Sequence, residues 1–128
     1  MKSHKRASAA VEITTSIPAA RLAELCKQAA AEESEKWLRV DRDSPQELLF
    51  GLRGPYREGS RQLQWRVDIQ AEGDATFSLK SKITAYEQQR TLFFPATMRG
   101  LPRYEKWMRR LADHVLAVDP TAQVSFVG

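Results

Sequence analysis

The sequence predicts an α+β domain in which an antiparallel sheet of about six strands is covered on one face by two helices. Three observations carry this. From Leu101 to Val118, the residues Leu101, Tyr104, Met108, Leu111, Val115 and Val118 recur at helical spacing, with Trp107 and His114 along the edge of the stripe. Leu63, Trp65, Val67 and Ile69 alternate with Gln62, Gln64, Arg66, Asp68 and Gln70, the period-two pattern of a half-buried strand. No strand–helix rhythm runs through the chain, which argues against a doubly wound parallel sheet and for an antiparallel one with a solvated face.

The elements follow in order. Val11, Ile13 and Ile17 alternate with Glu12, Thr14 and Ser16 as a first strand. Ser16-Ile17-Pro18 opens a helix, because proline suits a first turn where its missing N–H costs nothing. Leu22, Leu25, Cys26 and Ala29 form the buried stripe of that helix, which ends near Glu32–Glu35. Trp37–Asp41 is a strand, Asp43-Ser44-Pro45-Gln46 a turn, and Leu48, Phe50 and Leu52 mark the next strand, closed by Gly54-Pro55. After the Leu63–Ile69 strand, Glu72-Gly73-Asp74 reads as a hairpin turn into Phe77, Leu79, Ile83 and Ala85. A short strand from Thr91 to Phe94 ends at Pro95, and the long helix ends at Asp119-Pro120, since a residue before proline avoids the helical region. Gln123–Val127 is apolar enough to dock but too short to assign.

Composition sets the class. With 128 residues, 42% hydrophobic and 28% charged, the chain is long enough for one self-sufficient core and is not disordered. Residues 1–8 read as a flexible basic tail and 9–128 as a single domain. No apolar run reaches the roughly 20 residues of a membrane span, and the N-terminus lacks the apolar core of a secretory signal. Cys26 is the only cysteine, so it forms no internal disulfide, and a cytoplasmic location is expected. The net charge of +4 permits an anionic partner without demanding one.

The strand-into-helix start Val-Glu-Ile-Thr-Thr-Ser-Ile-Pro-Ala, the stretch Lys82-Ile83-Thr84-Ala85-Tyr86-Glu87 with Thr91-Leu92-Phe93-Phe94, and Gly100-Leu101-Pro102-Arg103-Tyr104 leading into Trp107 and Leu111 give the chain a texture. Over residues 9 to 118 this texture resembles the helix-grip fold of the SRPBCC superfamily, with its START-like, polyketide cyclase/dehydrase-like and birch-pollen-allergen-like members. The resemblance implies a curved antiparallel sheet gripping the C-terminal helix, in the order β-α-β-β-β-β-β-α, with an apolar cavity between them. A β-α-β4-α arrangement like that of TATA-box-binding protein is the competing topology. Relatives of the helix-grip kind bind lipids, polyketides, hormones or other hydrophobic molecules, and some catalyse cyclisation or dehydration.

On that expectation the ligand-binding residues are Trp65, Phe77, Tyr104, Trp107, Met108 and Leu111 as apolar walls, with Arg99 or Arg103 holding a polar end. The competing reading of the aromatics is plain core. His114, the histidine outside the tail, is the one candidate for acid–base work, yet no motif ties a nucleophile or carboxylate to it. No cofactor and no metal site is expected, because no second ligand stands at useful spacing from His114. Arg103, Lys106 and Arg110 share the outer face of the last helix, diluted by Glu105 and Asp113. The predicted open sheet face carries Gln64, Arg66, Lys80 and Lys82 rather than stacking aromatics, which disfavours nucleic acid. Arg53-Gly54-Pro55-Tyr56-Arg57-Glu58-Gly59 lacks the context of a phosphate loop and fits either a gate at a pocket mouth or a long turn. The expected function is binding of a small hydrophobic ligand, lipid- or polyketide-like. The alternative is a non-enzymatic interaction module using the basic helix face to bind protein or nucleic acid. A cyclase- or dehydratase-like enzyme ranks third.

Overall fold

The period-two runs form strands in the computed structural model, which describes residues 8–34, 38–44, 46–53, 61–86, 88–91, 94–98 and 101–127. The elements are β1 (Ala10–Thr15), α1 (Ala19–Ser34), β2 (Leu38–Ser44), β3 (Glu47–Arg53), β4 (Arg61–Ala71), β5 (Phe77–Tyr86), β6 (Gln88–Thr91), β7 (Phe94–Met98), α2 (Leu101–Val118) and β8 (Gln123–Val127). The Pro18 carbonyl accepts the first helical bond of α1 from Leu22 N–H at 2.9 Å, so Pro18 stands at the cap, just outside the helix. Nearly all of the expected tail, together with Pro45, the Gly54-Pro55 loop and Arg99, lies outside the described residues.

Six strands form one sheet in the order β2-β3-β4-β5-β1-β8, every neighbouring pair antiparallel. Inward residues come from alternate positions: Val11 and Ile13, Phe50 and Leu52, Leu63 to Ile69 and Leu79 are all buried. Both helices cover this face. α1 buries Leu22, Leu25, Cys26 and Ala29 against β2 and β4, and α2 lies beside α1 and over β1.

The helix-grip expectation is corrected here, and the β-α-β4-α topology with it. The sheet is open, neither curled nor closed, and ends at two separate edges, β2 and β8. The last helix does not end the fold, because Gln123–Val127 returns as β8 and pairs with β1. Among the described residues β6 and β7 pair only with each other, as a separate two-stranded ribbon, so they do not extend the sheet around α2. Pro95, expected to end a strand, lies within β7; each strand of a two-stranded ribbon has a free edge, where proline is tolerated.

A buried carboxylate joins the end of α2 to the sheet. Asp119 Oδ2 accepts from Thr15 Oγ1 at 2.6 Å and Ser16 N–H at 3.2 Å, while Oδ1 accepts from Thr121 Oγ1 at 2.6 Å and Thr121 N–H at 3.1 Å. Those hydrogen bonds, from Thr121 first and then Thr15, hold its pKa far below the usual carboxylate range. The arrangement turns the chain through an Asx-type bend directly into β8.

Candidate functional site

Four rings from three elements meet at the position where a ligand is expected. Phe50 and Trp65 are cross-strand partners with ring centroids 5.7 Å apart. From α2, Trp107 stands 5.4 Å from Phe50 and 5.3 Å from Trp65, and Tyr104 stands 4.8 Å from Trp65. All four are buried, and these separations are those of aromatic pairs in contact. Met108 and Leu111 are buried on the same helix face. Trp107, expected at the edge of the stripe, is central, because α1 packs against that flank of α2; its Nε1–H donates to the Cys26 carbonyl at 3.1 Å. Val118, expected in the stripe, is 48% exposed at the overhanging end of the helix.

Phe77 does not join the ring cluster. It pairs with Ala71 and Thr15 at the far end of β5, whereas Trp65 pairs with Ile83, and it is only half-buried. Arg103 is half-buried on α2.

Polar groups under α2 form a closed chain. Val11 N–H donates to Ser81 Oγ at 2.9 Å, Ser81 Oγ and Tyr104 Oη are 2.7 Å apart, and Tyr104 Oη donates to the Ala9 carbonyl at 2.9 Å. With Tyr104 donating to Ala9, the Ser81 proton is directed to Tyr104 and every group is satisfied. Burial pushes the Tyr104 hydroxyl up to about 12, so it remains a neutral donor. Trp65 Nε1 is the exception: it is buried with no acceptor among the described residues.

His114 is half-buried, with Nε2 2.6 Å from Glu32 Oε1, and Arg110 Nη1 lies 4.0 Å from the same oxygen. This links the last turn of α1 to α2. The His114 hydrogen bond is the main cause holding the Glu32 carboxyl below its usual value. Burial pushes the Cys26 thiol up, out of the range in which a thiolate forms. Among the described residues no group of three or more His, Cys, Asp and Glu side chains is placed to hold a metal ion. No helix among them is long and apolar enough to cross a membrane.

Both solvent faces carry cations interspersed with carboxylates. On the open sheet face Lys80 is registered between Glu12 and Asp68, and Arg66 Nε donates to Asp68 Oδ2 at 3.0 Å, while Lys82 is registered against Arg66. On α2, Lys106, Arg109 and Arg110 are exposed beside the half-buried Arg103, with Glu105 and Asp113 on the same helix and Arg110 4.0 Å from Glu32. Asp119, Ser81 and Glu32 are the structural partners the sequence reading missed; only the Asp119-Pro120-Thr121 turn carried a local signal, since Asp and Thr favour such bends. No protein-family model matches the chain, and no curated protein matches it.

Proposed function

We propose that this domain is a non-enzymatic interaction module that docks an acidic protein surface on the outer face of α2. The supporting observation is the contrast between inside and outside. The rings under α2 contact one another, and Tyr104, Ser81 and Trp107 are committed to internal hydrogen bonds, while Arg103, Lys106 and Arg109 lie on the helix outside that core, with Arg110 beside them at the α1 flank, 4.0 Å from Glu32. Protein is favoured over nucleic acid because the open sheet face carries Gln64, Arg66, Lys80 and Lys82 rather than aromatics on which bases could stack. The buried thiol of Cys26 fits a reducing compartment such as the cytoplasm.

The test is binding to a fluorescent poly-glutamate peptide and to duplex DNA across a salt series. Replacing Arg103, Lys106 and Arg110 together by alanine should weaken peptide binding about tenfold or more at low salt. Replacing Arg21, Lys80 and Lys82 should weaken it much less, at the same change in net charge. Equal loss in the two triple variants overturns the proposal, and preferential binding of DNA replaces protein by nucleic acid as the partner.

One observation favours a second reading, a small hydrophobic ligand between the sheet and α2. Trp65 Nε1–H is a buried donor without an acceptor, which a carbonyl on an apolar molecule would satisfy. Native mass spectrometry of the purified protein tests it: a retained apolar mass supports this reading, and a bare polypeptide mass after incubation with lipid extracts rejects it.

A further inference from the structure

We propose that β8 pairs edge to edge with β8 of a second copy of this chain, giving a two-fold dimer with one continuous sheet. The two edges of the sheet are built differently. β2 carries Arg39, Asp41, Arg42 and Asp43, and the register shifts between Val40 and Arg42, so charge and a bulge both blunt it. β8 reads Gln-Val-Ser-Phe-Val, with no charge, no proline, no glycine and no shift in its pairing with β1. Among the described residues β1 is its one neighbour, so its other side presents unpaired backbone donors and acceptors. Phe126 is 54% and Val127 43% exposed on this strand, although both are apolar.

The strand is complementary to its own reverse. A two-fold axis at Ser125 sets Ser125 against Ser125 of the second copy and Val124 against Phe126, an aromatic–β-branched pair repeated on either side of the axis. The helices fit the same axis. Tyr104 lies over Ala9 and Asp119 over Thr15, so the middle of α2, near Leu111, lies above Glu12, the β1 partner of Ser125. Reversal about that point brings Arg109 of one copy level with Asp113 of the other, twice, as two exposed pairs of opposite charge.

Three strand spacings separate the two copies of β1, placing the helices about 14 Å apart, wider than the roughly 8–10 Å of helices in contact. Trp107, Arg110 and His114 turn one flank of α2 toward α1, so the other flank, with Ala112 and the 38% exposed Leu116, faces this gap. Phe126 and Leu116 of both copies then fill it. A strand of five residues spans only about 17 Å, so the interface falls at the low end of specific interfaces and the dimer is concentration-dependent.

The test is the mass of the full-length protein by sedimentation equilibrium, from low micromolar to about 0.5 mM. The expected result is a monomer–dimer equilibrium that Phe126→Lys shifts to monomer without lowering the melting temperature. Under mild oxidation Ser125→Cys should form a disulfide-linked dimer at least about tenfold faster than Lys106→Cys, an exposed control, since facing Cβ atoms across a strand pair approach disulfide range. A monomer throughout, a dimer that survives Phe126→Lys, an open-ended polymer, or equal cross-linking of the two cysteine variants overturns the proposal.

Discussion

The unequal hydrogen bonding of the two core indoles gives a sharp prediction. Trp65 and Trp107 are both fully buried and share neighbours, so replacing either by phenylalanine removes the same atoms from the same ring cluster. They differ in their N–H groups. Trp107 Nε1 donates to the Cys26 carbonyl, a bond with a net contribution of about 1 kcal/mol. The carbonyl lies inside α1 and keeps its helical partner, so its loss strands nothing. Trp65 Nε1 is desolvated without an acceptor, at a cost of about 2 kcal/mol that Trp65→Phe removes. Trp107→Phe should therefore be the more destabilising variant by about 3 kcal/mol, or about 10 °C in melting temperature for a chain of this size. Urea and thermal unfolding followed by far-ultraviolet circular dichroism read the difference. Equal losses would refute the reasoning and mean that Trp65 N–H finds an acceptor in solution.

Three further outcomes are expected. Tyr104→Phe leaves the Ala9 carbonyl without this donor, and the Ser81 hydroxyl, still accepting from Val11 N–H, with only Met108 Sδ at 3.9 Å for its proton; it should cost about 1–3 kcal/mol in urea unfolding, with no change in secondary structure. Asp119→Asn should lower the melting temperature at pH 7; because the folded-state pKa of Asp119 is depressed, its contribution is fully present above the unfolded value of about 3.9 and is lost as pH falls through the folded one, so melting curves of variant and wild type should converge toward pH 2. The Asp41 carboxylate occupies the space a Cβ would take on Gly51 and, as a side-chain end, can swing aside, so Gly51→Ala should cost no more than about 1 kcal/mol, and a double-mutant cycle with Asp41→Ala should show coupling of at least about 0.5 kcal/mol.

What was legible in the sequence was whatever a local period encodes. The stripe Leu22, Leu25, Cys26, Ala29 and the alternation Leu63, Trp65, Val67, Ile69 name core residues correctly because burial of one face requires that spacing. The helix Leu101–Val118 has the expected bounds for the same reason. The errors are non-local. Trp107 looks peripheral on its own helix and becomes central because α1 packs on that flank. Asp119 and Thr15 are 104 positions apart, and no local pattern announces that contact. The insertion of β1 between β5 and β8 is likewise a pairing choice among several equally alternating strands. The helix-grip topology failed at this step, since five uncharged residues after the last helix supply an extra strand too short to recognise by period.

The two proposed surfaces share Arg109 but rest on different forces, which makes their combination testable. Docking on α2 is electrostatic between exposed charges and weakens as salt shortens the screening length. Pairing of β8 rests on backbone hydrogen bonds and apolar contact around Phe126 and is far less sensitive to salt. A two-fold axis perpendicular to the sheet leaves both copies of α2 on the same side, so a dimer presents two basic faces in one direction. An extended acidic partner would then engage both, and its apparent affinity would rise with protein concentration through effective concentration rather than through any new contact. Phe126→Lys adds positive charge, which by itself favours an acidic partner, yet it should reduce apparent affinity for an immobilised poly-glutamate surface if bivalence matters. A gain in affinity on that surface would separate the two interfaces and leave α2 acting as a single site.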